Sequence, residues 1–307
     1  MRFVFFGTDS FVVPILSALL ELKGHSCVGV ITAPDRKGRG NKTVPSAVKV
    51  IANEKSLPVY TPEKLKDFFE TYKTELAPDF AVIASYGKII SQKYIDATPR
   101  GILNIHPSLL PRYRGPSPVP ATILSGDTKT GVAIMKIDAG VDTGDILAIE
   151  EVPLSGFETS QELLHDLFAK GAKLLQKVLP EYLNGTLVPK PQDNSLANTS
   201  RMFSKEDGKL NFNEPAELLE RKIRALNPWP STYTHLEGQT VKITKARVAE
   251  GLKKELHPGT IATENSRFFV GTKTHPLEIL EVKPEGKKLQ SASEFLRGHN
   301  VHGKTFL

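Results

Sequence analysis

Residues 1–22 read MRFVFFGTDSFVVPILSALLEL, and their pattern gives the first indication of the fold class. The apolar run Phe3–Phe6 predicts a buried strand, and apolar residues at helical spacing within Phe11–Leu22 predict a helix directly after it. The same alternation continues with three more buried strands and one short helix, which we place at Val28–Ile31, Ala47–Glu54, Phe80–Ala84 and Ile102–Ile105. Continuous apolar strands that alternate with helices predict a mostly parallel α/β sheet covered on both faces.

The pattern changes after Gly131. Val132–Ile137 and Ile146–Val152 predict adjacent strands that extend the sheet in antiparallel fashion, and Glu158–Leu183 predicts a long amphipathic helix. The stretch 186–204 is polar and has no period, so it is interpreted as a linker. The sequence therefore predicts an α/β domain at 1–189, a linker at 190–204 and a second domain at 205–307.

Residues 205–307 predict a small β-barrel. A helix is predicted first, and short strands separated by glycine and proline follow it: Ala216–Ala225, then Val241–Ile243, Gly259–Ala262, Phe268–Val270 and Leu277–Val282. This region holds 17 basic and 13 acidic side chains, against 23 and 21 in the first 204 residues. Most of the net charge of +6 lies there, which is compatible with a polyanionic partner or with ordinary surface charge.

Composition excludes several classes of protein. A chain of 307 residues with 39% hydrophobic and 24% charged residues is typical of globular domains. The single cysteine, Cys27, excludes an internal disulfide and a cysteine-based zinc cluster, and we expect no metal. No apolar run is long enough for a transmembrane helix, and the opening run ends at Gly7, so we expect a cytoplasmic protein without a signal peptide. The turn at Gly7 also lacks the G-x-G-x-x-G pattern of dinucleotide binding.

Candidate chemistry lies in the segment NIHPSLLPRYRG, residues 104–115. Asn104 and His106 are two residues apart at the end of a predicted strand, so their side chains should point to the same side. Ligands bind at the carboxyl ends of strands in open α/β sheets, and an amide beside an imidazole suits stabilisation of an oxyanion. A purely structural role is the alternative, in which Asn104 satisfies the loop backbone and His106 caps a neighbouring element.

A second candidate is the loop DAGVDTGD, residues 138–145, between two predicted strands. Its carboxylates include Asp142, and a carboxylate beside an imidazole can hold that ring in a fixed orientation. A plain turn is the alternative. An EF-hand is not expected, because no helix-flanked loop of the required length is present.

These motifs together resemble the folate-dependent formyltransferase family. The segment NIHPSLLP is followed by RYRG and, 36 residues after His106, by DTG. The resemblance extends over nearly the whole chain, through APDRKGRG (33–40), PSAVK (45–49), ASYG (84–87) and IRALNPWP (223–230). The pattern is most similar to the branch of the family that formylates methionyl-tRNA. It implies a Rossmann-like N-terminal formyltransferase domain and an OB-like C-terminal domain that binds tRNA.

The resemblance also implies a reaction and a site. A formyl group would pass from 10-formyltetrahydrofolate to the α-amino group of methionine on initiator tRNA. Asn104 and His106 would hold the formyl oxygen, and Asp142 would orient His106 and a water that accepts the amine's proton. The residues matching the family's folate-binding stretch and pocket are Ser108, Leu109, Leu110, Pro111, Tyr86, Gly87 and Ile89. For the two leucines, core packing is the alternative. The protein is expected to act as a monomer without a membrane partner.

The basic loop, residues 34–44, carries four cations and two glycines. Its candidate tRNA contacts are Arg36, Lys37, Arg39 and Lys42. Cations on a flexible loop suit contacts with phosphates, and the resemblance implies the acceptor stem as their partner. A solvated basic surface is the alternative.

Two other functions compete with this prediction. The first is a folate-dependent formyltransferase that acts on an amino sugar nucleotide or another small amine. The C-terminal domain argues against the purine-pathway enzyme, and the basic loop favours tRNA over a sugar nucleotide. The second is a tRNA-binding module without catalysis, against which the intact Asn104, His106 and Asp142 argue.

Overall fold

A computed structural model describes residues 1–37, 43–249 and 256–307, in which the chain forms two compact units. Unit one comprises Met1–Pro118, Lys129–Pro153 and Leu164–Ser200, and unit two comprises Val119–Thr128, Leu154–Leu163 and Arg201–Leu307. The two short segments of unit two are joined to its longest one by hydrogen bonds. Arg221 Nη1 donates to the Leu124 carbonyl at 3.4 Å, and Arg224 Nη1 donates to the Glu158 carbonyl at 2.8 Å. Unit two is therefore discontinuous in sequence.

The centre of unit one is a mostly parallel sheet, as predicted. The strands in this part of the chain are β1 (Arg2–Gly7), β2 (Ser26–Ile31), β3 (Arg36–Lys37), β4 (Thr43–Val44), β5 (Val59–Tyr60), β6 (Phe80–Ala84), β7 (Ile102–His106), β8 (Lys129–Lys136) and β9 (Ile146–Pro153). The sheet has the order β5-β2-β1-β6-β7-β8-β9, and β3 pairs with β4 in a separate hairpin. Strands β8 and β9 are antiparallel, whereas the others in the sheet pair in parallel. All of β6 and nearly all of β1 are buried, which explains their uninterrupted apolar sequences.

Helices of varied length connect these strands. They are α1 (Val13–Leu20), α2 (Ala47–Glu54), α3 (Leu65–Glu70), α4 (Gln92–Asp96), α5 (Pro118–Ser125) and α6 (Ser160–Leu183). Helix α2 has the predicted bounds because Ser46 caps it, accepting a hydrogen bond from the Lys49 N–H at 3.1 Å. Helices α3, α4 and α5 were not predicted from the sequence; α3 and α4 are too short for a clear helical period, and α5 contains two prolines. None of the helices in the described ranges is long and apolar enough to cross a membrane.

The register between β7 and β8 determines where the loop 138–145 begins. Leu103 of β7 pairs with Lys136 of β8, and His106 pairs with Ala133. The turn of the β8–β9 hairpin therefore lies beside the first residue of β7. That position is about four residues from His106 along the strand. We call residues 138–145 the aspartate loop. It folds back towards the end of β7, and this brings Asp142 within 3.6 Å of His106.

Unit two contains an antiparallel sheet and two further helices. These elements are α7 (Ala216–Ala225), β10 (Thr232–Leu236), β11 (Gln239–Val248), β12 (Ile261–Glu264), β13 (Arg267–Val270), β14 (Leu277–Pro284), β15 (Gln290–Ser291) and α8 (Ala292–Gly298). The strand order is β10-β11-β14-β13-β12, with β15 paired to β14. Helix α8 was not predicted, although Ser291 and Glu294 form a capping box that the sequence displays.

Residues 303–307 connect the two edge strands of this sheet. Leu307 exchanges backbone hydrogen bonds with His235 of β10, at 3.0 and 3.3 Å. On the opposite edge, the Ile261 N–H of β12 donates to the Lys304 carbonyl at 2.8 Å. The C-terminal residues thus pair with part of both edge strands, and a barrel likewise leaves few exposed strand edges. The predicted small barrel is confirmed in this form.

Glu278 of β14 is a buried carboxylate, 4% exposed, that is held by two arginines. Arg267 donates to it at 2.9 and 2.7 Å, and Arg247 at 2.8 Å. Despite the opposing effect of burial, the hydrogen bonds from Arg267 and then from Arg247 lower the pKa of Glu278 from 4.5 to about 2. A pKa that is lower in the folded state means that the charged form stabilises the fold.

We expect unit two to lose stability as the pH falls from about 4.5 to about 2, because Glu278 is protonated over that range. Glu278→Gln removes the charge and should lower the melting temperature at pH 7 much more than at the acid end of the range. Thermal unfolding of both proteins across the range measures this. A melting-temperature difference that is the same at every pH would contradict the assignment.

Candidate active site

Strand β7 places Asn104 and His106 on one side of the sheet. The intervening Ile105 is buried in the core, at 1% exposure. Both polar side chains reach the same carboxylate. Asn104 Nδ2 donates to Asp142 Oδ1 at 3.3 Å, and His106 Nδ1 lies 3.6 Å from Asp142 Oδ2. The two-residue spacing on one strand and the folded-back aspartate loop together form this cluster.

The two ring nitrogens of His106 have different surroundings. Nε2 lies 3.0 Å from the Tyr113 carbonyl oxygen. A carbonyl oxygen only accepts hydrogen bonds, so Nε2 carries a hydrogen. Nδ1 faces Asp142, and the whole residue is 4% exposed. Nδ1 is therefore the ring nitrogen that faces the carboxylate.

Asp142 is held from several directions. Its Oδ2 accepts a hydrogen bond from the Gly115 N–H at 2.7 Å, and its side chain is 17% exposed. Its φ of +51° lies in the left-handed region, which aspartate and asparagine tolerate better than most residues. The close turn beside it requires Gly144, because a Cβ there would stand 1.9 Å from the Lys136 carbonyl oxygen. The loop backbone thus fixes the direction in which this carboxylate points.

The stretch of predicted folate contacts that follows β7 is largely packed against protein. Ser108 is fully buried, and its hydroxyl donates to the Arg112 carbonyl at 2.7 Å. Leu110 is 4% exposed and packs against Ala133 and Met135, so the packing role considered for it is observed. Leu109 and Pro111 are half-buried and leave part of their surface for a ligand.

The predicted folate contacts after β6 differ from one another in burial. Tyr86 is buried against Phe6, with ring centroids 5.3 Å apart, and its hydroxyl has no hydrogen-bond partner among the described residues. Burial raises the pKa of Tyr86, so the hydroxyl remains a donor. Gly87 has a φ of +77° and is exposed, and Ile89 is 91% exposed. The accessible parts of this stretch are therefore Gly87 and Ile89, whereas the Tyr86 side chain belongs to the core.

The basic loop is described only in part. Strands β3 and β4 form its two sides, with Arg36 opposite Val44. Arg36 is exposed, and Lys37 belongs to β3. Arg39 and Lys42 lie outside the described residues.

Asn104, His106 and Asp142, which we call the trio, are surrounded by groups that the sequence did not predict. The Tyr113 carbonyl and the Gly115 N–H belong to residues 112–117, which we call the arginine loop. Residues 190–200, which we call the strap, contribute Gln192, whose amide donates to the carbonyls of Asp142 and Gly144 at 2.9 and 2.8 Å. Hydrogen bonds from main-chain groups cannot be predicted from residue types, because every residue other than proline has the same main-chain groups. The strap is aperiodic and polar, so its local pattern gave no indication of such contacts.

The family described as Formyl transferase matches residues 1–179, and the family described as Formyl transferase, C-terminal domain, matches residues 202–300. Methionyl-tRNA formyltransferase of Chloroflexus aurantiacus is 43% identical over 303 residues, which are 97% of each chain.

Two solved structures share the fold at lower identity. The sugar 3N-formyl transferase WlaRD, crystallised with dTDP and 5-N-formyl-THF, has a TM-score of 0.68 at 20% identity, covering 94% of this chain and 99% of its own. HypX from Aquifex aeolicus in complex with tetrahydrofolic acid has a TM-score of 0.66 at 17% identity. The match covers 100% of this chain and 51% of HypX, so the present chain spans about half of that protein.

Proposed function

Since the chain belongs to the formyl transferase family, we propose that it transfers the formyl group of 10-formyltetrahydrofolate to the α-amino group of methionine on initiator tRNA, producing N-formylmethionyl-tRNA for translation initiation. The observation that carries this proposal is the similarity to a methionyl-tRNA formyltransferase over 97% of both chains. That similarity includes the C-terminal region. The sugar-modifying relative with a solved structure is much less similar, at 20% identity.

In the proposed reaction the neutral amine attacks the formyl carbon, and the formyl oxygen becomes an oxyanion. Asn104 donates one amide hydrogen to Asp142 and has a second for that oxygen. The other donor would be the Nδ1–H of His106, which is present only when both ring nitrogens carry a hydrogen. The carbon–nitrogen bond to N10 then breaks, N10 gains a proton, and the amine's proton leaves through a water held by Asp142. No covalent enzyme intermediate is needed.

The formyl donor would be held by the loops that follow β6 and β7. Ile89 offers an exposed apolar surface, whereas the Tyr86 side chain is buried and packs against Phe6. Leu109 and Pro111 retain accessible surface beside the trio. Ser108 and Leu110 shape this region through their internal contacts.

A formylation assay tests the proposed function. Purified protein is mixed with 10-formyltetrahydrofolate and either methionyl-initiator tRNA or an amino sugar nucleotide. We expect N-formylmethionyl-tRNA and tetrahydrofolate in equal amounts, and no product from the sugar. Formylation of the sugar nucleotide alone would establish the alternative function, and tRNA binding without any transfer would establish the non-catalytic one.

The basic loop gives a prediction about tRNA affinity. Each lost phosphate contact should reduce the slope of log affinity against log salt by about 0.7–0.9. Arg39→Ala should therefore weaken tRNA binding and flatten this slope by nearly one unit, while binding of the folate stays unchanged. Titrations at several salt concentrations measure the slope, with Lys55→Ala, an exposed lysine on another surface element, as the control. An unchanged slope would mean that Arg39 contacts no phosphate.

A further inference from the structure

The strap is fastened to the body of unit one at both ends. At one end, Lys190 and Ile146 of β9 exchange two backbone hydrogen bonds, each of 2.8 Å. At the other, the Ser200 N–H donates to the Arg114 carbonyl at 2.7 Å, and the Arg114 N–H donates to the Asn198 carbonyl at 3.0 Å. A stretch whose sequence is typical of a linker is therefore held against the two loops that surround the trio.

Gln192, the third residue of the strap, uses its whole amide. Its Oε1 accepts from Arg114 Nε at 3.1 Å and from Arg114 Nη2 at 2.9 Å. Its Nε2 donates to the carbonyls of Asp142 and Gly144. Arginine only donates and carbonyls only accept, so the chemistry of the partners fixes the orientation of the amide. No other uncharged side chain of this length offers two donors and two acceptor sites on one planar group.

Arg114 connects this amide to the trio from the other side. It is 8% exposed and lies between two residues that contact the trio. The carbonyl of the preceding Tyr113 faces His106 Nε2, and the N–H of the following Gly115 donates to Asp142 Oδ2. Gln192 therefore joins the arginine loop, which contacts both His106 and Asp142, to the aspartate loop, which carries Asp142.

We propose that Gln192 is a positioning residue, which holds the Asp142 carboxylate against His106 by bridging the aspartate loop and Arg114. The proposal rests on the proposed function for its effect on turnover. Holding a catalytic group in place matters because a displacement of about 1 Å can lower a rate by ~10²-fold. Gln192 acts through Asp142, and it is assigned no contact with substrate.

One substitution at Gln192 removes the whole bridge, and a second removes only the half that reaches the aspartate loop. Gln192→Met keeps the length of the side chain and removes all four hydrogen bonds. Gln192→Glu keeps acceptors for Arg114 but places a carboxylate oxygen against the carbonyls of Asp142 and Gly144. The matched control is Asn194→Ala, because Asn194 accepts from Arg114 Nη2 at 2.8 Å and shows no hydrogen bond to the aspartate loop within the described ranges.

The first readout is turnover in the full-length chain. We expect both Gln192 variants to lower kcat by about 10- to 100-fold with KM for the formyl donor unchanged, and Asn194→Ala to behave as wild type. In an Asp142→Asn background, Gln192→Met should lower kcat hardly any further, because the carboxylate that Gln192 positions is already lost. A purely structural role predicts the same loss in both backgrounds, and that result would overturn the proposal.

The second readout needs no substrate. The Gly115 N–H is bound to Asp142 Oδ2, so its hydrogen exchange reports whether the carboxylate is in place. Exchange measured by NMR should accelerate at Gly115 in both Gln192 variants and stay at the wild-type rate in Asn194→Ala. Unchanged exchange in the Gln192 variants would overturn the proposal. Wild-type protein that forms no N-formylmethionyl-tRNA would refute the proposed function instead, and the exchange experiment would still decide the role of Gln192.

Discussion

Replacing Asp142 by asparagine should lower the turnover of formyl transfer by about 10²–10³-fold while the protein remains folded. Asparagine tolerates the φ of +51° at this position, and its amide oxygen can still accept from the Gly115 N–H. What disappears is the negative charge beside His106 and the route for the amine's proton. Single-turnover formylation at saturating substrates measures the effect on the chemical step.

Asp138→Asn provides a matched control for this prediction. Asp138 belongs to the same loop, and its carboxylate accepts from the Gly140 N–H at 3.0 Å and from the Thr143 hydroxyl at 2.7 Å. The substitution makes the same chemical change without touching Asn104 or His106. Equal losses in the two variants would assign the effect to the loop and remove Asp142 from the chemistry.

Asn104→Ala and His106→Ala should each lower turnover by roughly 10²–10³-fold, which corresponds to the ~2.7–4 kcal/mol of one oxyanion donor. Asn104 is half-buried, so its truncation should hardly change stability. His106 is buried, and His106→Gln is therefore measured as well, since glutamine fills more of the space and retains a donor. Partial recovery of turnover in His106→Gln would indicate that donation to the formyl oxygen is the main role of the ring.

The control for these variants is His165→Ala, because His165 is exposed on α6 and its ring makes a T-shaped contact with Phe11, with ring centroids 6.0 Å apart. Melting temperature and folate binding are recorded for every variant. Turnover close to wild type in either Asn104→Ala or His106→Ala, with the fold intact, would falsify the assignment of that residue.

The sequence predicted well those features that depend on short-range pattern. The runs at Phe3–Phe6 and Phe80–Ala84 became buried strands because a sheet covered on both faces requires apolar residues at every position. Asn104 and His106 lie on one side because strand side chains alternate. The prediction that Asp142 lies beside them came from the resemblance to the formyltransferase family. The register of β7 and β8 alone would place Asp142 farther along the strand.

The rest of the site depends on contacts between distant parts of the chain. Gln192 meets Arg114, 78 residues earlier, and the Asp142 carbonyl, 50 residues earlier. The strap has no hydrophobic period because hydrogen bonds hold it in place and little apolar surface is buried by it. Such segments have the same composition as true linkers, so residue type alone cannot separate them.

The discontinuity of unit two has a consequence for recombination between related genes. A single crossover near residue 200 would join Arg201–Leu307 from one parent to Val119–Thr128 and Leu154–Leu163 from another. Arg221 and Arg224 would then have to reach main-chain carbonyls on segments that come from the other parent, within one packed unit. Chimeras designed to exchange acceptor specificity should therefore transplant all three segments together.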